Sequence, residues 1–107
     1  MKLSKQVLLW MLGRRRLVRV NGTSMEPTLG DGSIVFVDPR AYQNRKPIPG
    51  DIIHCRHPYK ISVTMVKRVE SVSPQSLTVM GDNVPESTDS RSLGAIPHEH
   101  VLGRVLL

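Results

Sequence analysis

Short runs of β-favouring residues, each closed by a glycine- or proline-bearing turn, constrain this chain more than any other feature. They fall at residues 17–20, 33–37, 52–56, 60–72, 76–80 and 101–107. Gly30-Asp31-Gly32, Asp38-Pro39, Pro49-Gly50-Asp51, His57-Pro58-Tyr59 and Ser73-Pro74-Gln75 separate them. Segments of this length and spacing predict a compact, mainly β domain. Aromatic residues make up only 4% of the chain, so its core must come from Val, Ile, Leu and Met, and the β-branched members of that set favour pleated surfaces. At 107 residues the chain is one small domain. Residues 40–50 are polar and proline-bearing, and are expected to form a surface loop.

Residues 1–16 stand apart from this pattern. The apolar run over 7–12 predicts one short helix ended by Gly13. A bilayer span needs about 20 apolar residues and a cleavable leader an apolar core of roughly 7–15, so neither fits. The favoured expectation packs this helix against the core or a partner. A second lays residues 1–16 on a membrane surface, with Trp10 inserted and Arg14, Arg15 and Arg16 at the headgroups. The net charge of +6 is read as a solvated face rather than a specific nucleic-acid surface, since no DNA- or RNA-binding motif is present. Cys55 is the only cysteine, so no intramolecular disulfide forms. His54, His57, His98 and His100 have no metal-site spacing. They are read as surface histidines beside a buried cysteine, and no metal or cofactor is expected.

Three stretches carry chemistry. The first is Gly22-Thr23-Ser24-Met25-Glu26-Pro27-Thr28-Leu29, a turn presenting Ser24 just after the first strand. Gly22 accepts backbone angles other residues resist, and Pro27 fixes its own φ. The second is Met65-Val66-Lys67-Arg68-Val69, where alternation puts Lys67 on the face of Met65 and Val69. A lysine facing a core is costly unless it sheds its charge or finds partners. The third is the polar loop 81–94, containing Gly81-Asp82-Asn83 and Ser87-Thr88-Asp89-Ser90-Arg91.

In this order, and with Pro49-Gly50-Asp51-Ile52 between, the set resembles the signal peptidase I family of serine–lysine proteases over about residues 18–105. The Ser-Thr-Asp-Ser-Arg spelling and the ending Leu102-Gly103-Arg104-Val105 look most like the nickel-type superoxide dismutase maturation branch. The resemblance implies a compact barrel-like, mixed-sheet core over residues 17–107 as a single catalytic domain. It implies Ser24 as nucleophile, Lys67 as general base and Ser87 as the residue orienting the lysine. It also implies that Gly22, Met25, Pro27, Asp82, Asn83, Asp89, Ser90 and Arg91 support the site.

Such a set answers a chemical need. A serine hydroxyl requires an adjacent base, and a lysine at its ordinary pKa of about 10.4 is neutral only about once in 2,500 molecules at pH 7. The backbone N–H of Ser24 is expected to donate to the oxyanion. The hydroxyl that some members carry two positions before the nucleophile is replaced here by Gly22, which leaves the second donor open.

The expected activity is removal of a short N-terminal extension from a precursor, with a nickel superoxide dismutase as the implied substrate. The alternatives are leader cleavage at a membrane surface and a non-catalytic peptide-binding module of the same fold. With no spanning segment, and only residues 68–79 between Lys67 and the polar loop, the expectation is a soluble cytoplasmic processing enzyme.

Overall fold

The computed structural model describes residues 2–83 and 93–107. Helix α1 (Lys2–Met11) is followed by β1 (Arg16–Arg19), β2 (Ile34–Asp38), β3 (Ile52–Arg56), β4 (Thr64–Val72), β5 (Ser76–Met80), β6 (Ile96–Pro97) and β7 (Val101–Leu106), with a 3-10 turn at His98–His100. The seven strands form one curled sheet, a half-barrel, in the order β1-β2-β7-β3-β4-β5-β6. Every pairing in it is antiparallel. The mainly β expectation therefore holds, as does the short helix at its start.

The strands form where the runs predict them. β3 and β5 match their runs, and the long run 60–72 becomes a turn followed by β4. Ile52-Ile53-His54-Cys55 lacks polar alternation, and all four residues are buried. An unbroken run of this kind suits a strand covered on both faces. One core holds Ile52 with Val20, Met25, Leu29, Val35, Val37, Val66 and Val105. A second holds Ile53 and Cys55 with Val69, Leu77, Val79 and Ile96.

The last strand is not last in space. β7 lies between β2 and β3, pairing Val37 with Val105 on one side and Ile53 with Arg104 on the other. Gly103 permits this. A Cβ built there would lie 2.6 Å from both the Asp38 carbonyl oxygen and Val37 Cγ1. Around Asp51, which is buried, the loop before β3 is tied down. The Tyr42 hydroxyl donates to Asp51 Oδ2 at 2.8 Å, the Ile48 amide donates to the same oxygen at 3.2 Å, and Arg104 Nε lies 3.7 Å from Oδ1.

The core-packing expectation for the N-terminal helix fails. Val7, Leu8, Trp10, Met11 and Leu12 are all exposed, Met11 to 72%. The segment is held at its end instead: Arg15 Nε donates to Gln6 Oε1 at 2.8 Å, and Arg15 Nη1 lies 3.5 Å from Asp38 Oδ1. Six apolar residues in a row give an amphipathic helix too many apolar positions for one narrow contact, and the surplus faces outward.

Candidate active site

The serine turn is built from three constraints. Gly22 has φ +89° and donates its amide to Asp31 Oδ1 at 2.8 Å. A residue with a Cβ strains at that φ. The Glu26 amide donates to the Thr23 carbonyl at 3.1 Å and the Leu29 amide to the Met25 carbonyl at 2.9 Å, which closes the turn. The Glu26–Pro27 peptide bond is cis. Met25 is fully buried and anchors the turn in the first core. Met25 thus acts from beneath Ser24, while Ser24 itself is half-buried at the surface of a cleft.

That cleft has a volume of about 320 Å³ and runs between the β1-to-turn segment and the start of β4. Ser24, Lys67, His54, His57, Arg19 and Val66 are among its lining residues. Ser24 and Lys67 therefore meet at one cleft, although 43 positions separate them in the chain (67 − 24). Lys67 is 5% exposed and sits opposite Ile53 across the sheet. Met65 sits opposite Cys55 on the same face, as alternation requires. Among the described residues the Ser24 amide and hydroxyl take no hydrogen-bond partner. Burial pushes the Cys55 thiol up to about 12, with the charge of Lys67 pulling the other way. Cys55 is thus a core thiol, not a competing nucleophile.

The polar loop reaches back to the serine turn through Asp82 and Asn83. The Asn83 amide donates to the Ser24 carbonyl at 2.8 Å, and Asn83 Nδ2 donates to the Thr23 carbonyl at 3.1 Å. Asp82 accepts a two-pronged bond from Arg68, Nε to Oδ1 at 2.7 Å and Nη2 to Oδ2 at 2.8 Å. The Thr28 hydroxyl donates to Asp82 Oδ2 at 2.5 Å. Arg68 Nη1 also donates to the Gly50 carbonyl at 2.8 Å. One carboxylate thus joins the serine turn, the lysine strand and the loop after β5. Arg68 and Thr28 were present in the motifs but unassigned. Alternation gave the signal for Arg68, since it must face away from Lys67. Ser87, Asp89, Ser90 and Arg91 lie outside the described residues.

The Arg68 hydrogen bonds hold the Asp82 carboxyl below its usual range; burial opposes them, and the Thr28 bond adds to them. Asp82 raises the Arg68 pKa in turn. A carboxyl whose folded pKa is depressed stabilises the fold above its unfolded value of about 3.9 and loses that contribution as pH falls through the folded value. Asp82→Asn is therefore expected to cost about 1–2 kcal/mol at pH 7, a range reduced for the pair's partial exposure. The gap from wild type should shrink below pH 4 or so. Urea midpoints across the acid range check this, and a gap that widens on acidification would refute it.

His54 corrects the surface-histidine expectation. It is 9% exposed, its Nδ1 is buried without a hydrogen-bond partner among the described residues, and it lines the cleft. Burial lowers its pKa first, and nearby Arg16 lowers it further. His57 also lines the cleft, with Nδ1 accepting from the Tyr59 and Lys60 amides. Among the described residues no cluster of His, Cys, Asp and Glu could hold a metal ion.

The profile of the signal peptidase, peptidase S26, family matches residues 7–77 and 70–107. Mitochondrial inner membrane protease subunit 1 of Xenopus tropicalis is 32% identical over 111 residues, covering 85% of this chain and 66% of its own length. Mitochondrial ATP-independent inner membrane protease subunit 1b of Arabidopsis thaliana is 32% identical over 108 residues, covering 79% and 64% respectively. The human subunit 1 is 28% identical over 109 residues, covering 83% and 66%. The chain thus spans just under two thirds of these relatives. They are named for an inner membrane, which overturns the cytoplasmic expectation. They are inner membrane proteases rather than nickel dismutase maturation enzymes, so the resemblance stands at the level of the family. Among the described residues no helix is long and apolar enough to cross a membrane. With its profile matched across almost the whole sequence, the chain belongs to the signal peptidase, peptidase S26, family.

Proposed function

We propose that this chain is a serine endopeptidase that removes an N-terminal extension from a precursor protein, with Ser24 as nucleophile and Lys67 as general base. One observation carries the reading: Ser24 and a buried Lys67 line a single cleft. The neutral Lys67 amine takes the Ser24 proton as Oγ attacks the scissile carbonyl. The Ser24 N–H, which has no partner among the described residues, donates to the developing oxyanion. The lysine then returns the proton to the leaving amine, and water hydrolyses the ester by the same route. The two side chains need not be hydrogen-bonded before substrate arrives, because catalytic contacts often tighten only in the complex.

The outward apolar face of α1, followed by Arg14–Arg16, supports a membrane surface as the place of action. The inner membrane relatives support it independently. The test incubates the full chain with an inner membrane preprotein and with a nickel superoxide dismutase precursor, each with and without anionic vesicles, and reads the new N-terminus by mass spectrometry. Cleavage by wild type and none by Ser24→Ala is the expected result. Faster cutting of the preprotein on vesicles favours leader removal, and cutting of the dismutase precursor alone favours the maturation role. Equal cutting by Ser24→Ala would overturn the assignment.

A further inference from the structure

A threonine in a turn ordinarily bonds the backbone beside it. Thr28 is exposed, yet its hydroxyl reaches across the molecule to Asp82 Oδ2. That oxygen also accepts from Arg68 Nη2 at 2.8 Å, while Oδ1 accepts from Arg68 Nε at 2.7 Å. Arg68 follows Lys67 directly on β4, and its Nη1 is pinned to the Gly50 carbonyl at 2.8 Å. The carboxylate is therefore held in place from the lysine strand, and the serine turn comes to it.

Resting on the endopeptidase reading, we propose that Thr28 is a positioning residue that sets Ser24 against Lys67 by registering the serine turn on the Asp82–Arg68 pair. Three arguments lead there. The turn's own bonds, Glu26 amide to Thr23 carbonyl and Leu29 amide to Met25 carbonyl, fix its shape but not its place. The apolar contacts do not fix that place either. Met25 anchors the turn in the first core, whereas Lys67 lies opposite Ile53 of the second, and apolar contact is non-directional. The Asn83 bonds tie the turn to the loop after β5 by neutral groups. The Thr28 bond is charge-assisted, hence stronger, and its acceptor is the one that β4 also grips. Thr28 carries no charge, so it acts on the separation of nucleophile and base and not on the ionisation of Lys67.

The test measures kcat and KM across pH for the full chain, on a peptide spanning the junction of whichever of the two precursors the wild type cuts. Thr28→Val exchanges the hydroxyl for a methyl group of similar size. It is expected to lower kcat about tenfold, because small displacements of reacting groups carry large rate costs. KM is expected to stay within about twofold of wild type, and the midpoint of the pH–kcat profile is expected not to move. Thr28→Ser, which keeps the hydroxyl, is expected to recover most of the rate. In an Asp82→Ala background Thr28→Val is expected to change nothing further, since the two residues act as one unit. Thermal melts establish that each variant is folded, and Thr28→Ala replaces Thr28→Val should the latter melt early. A wild-type kcat in the folded Thr28→Val chain overturns the proposal. So does failure of serine to rescue, a shifted pH midpoint, or a loss that persists without Asp82. No cleavage of either precursor by wild type instead removes the endopeptidase reading and this proposal with it, so the two failures are told apart.

Discussion

Replacing Lys67 with methionine is expected to reduce cleavage at least about a hundredfold while leaving the melting temperature unchanged or higher. The activity loss follows from general-base catalysis, which contributes roughly 10²–10⁴ in rate. The stability gain follows from burial. Lys67 is 5% exposed, on the face that also holds Ile53, Cys55 and Met65. Desolvating an amine in such a place is expensive whether it keeps its charge or sheds it, and a thioether of similar length carries no such cost. Lys67→Arg sharpens the test, because guanidinium stays charged at every accessible pH and cannot accept the serine proton. That variant is expected to be both inactive and less stable. If Lys67→Met unfolds early and keeps its specific activity, the lysine is structural and the serine–lysine reading falls. Initial rates and thermal melts on the same preparations decide the matter.

Gly103→Ala is expected to be the most damaging single methyl group that can be added to this sheet. The new Cβ would meet the Asp38 carbonyl oxygen and Val37 Cγ1 at 2.6 Å, and the Asp38 carbonyl carbon at 3.0 Å. Backbone cannot swing aside as a flexible side chain does. Overpacking of this kind costs about 1–3 kcal/mol, and each kcal/mol lowers the melting temperature of a domain this size by roughly 4–8 °C. The Gly22→Ala comparison isolates the cause. No atom lies within 4 Å of a Cβ at Gly22, so any loss there comes from its φ of +89° alone. A melting temperature for Gly103→Ala within a degree or so of wild type would show that β2 and β7 can separate without cost.

Much of this was legible from the order of residues. Strands with hard punctuation, such as β3 between Pro49-Gly50-Asp51 and His57-Pro58, were fixed by local chemistry. Lys67 sharing a face with Met65 and Val69 followed from period-two alternation. Asp82 and Asn83 were placed at the site by motif, and the hydrogen bonds to Arg68, Thr28 and the Ser24 carbonyl supply the physical reason. Three things were not legible. Ile96–Pro97 is a strand of two residues, too short for any periodicity. His54 was misjudged because a histidine between Ile53 and Cys55 looks the same on either face; only register shows both faces of β3 covered. Packing of the helix on the core was misjudged because amphipathicity says that a face wants cover but not what covers it.

The position of β7 has a consequence for how Ser24 and Lys67 are held together. The serine turn follows β1, while Lys67 belongs to the β3-β4-β5-β6 meander. Each half is assembled from neighbours in sequence, and β7 is the one strand shared by both. Strand pairing alone therefore joins the Ser24 half to the Lys67 half only through Val101–Leu106, and the Asp82 and Asn83 hydrogen bonds are the second tie that fixes the turn against the meander.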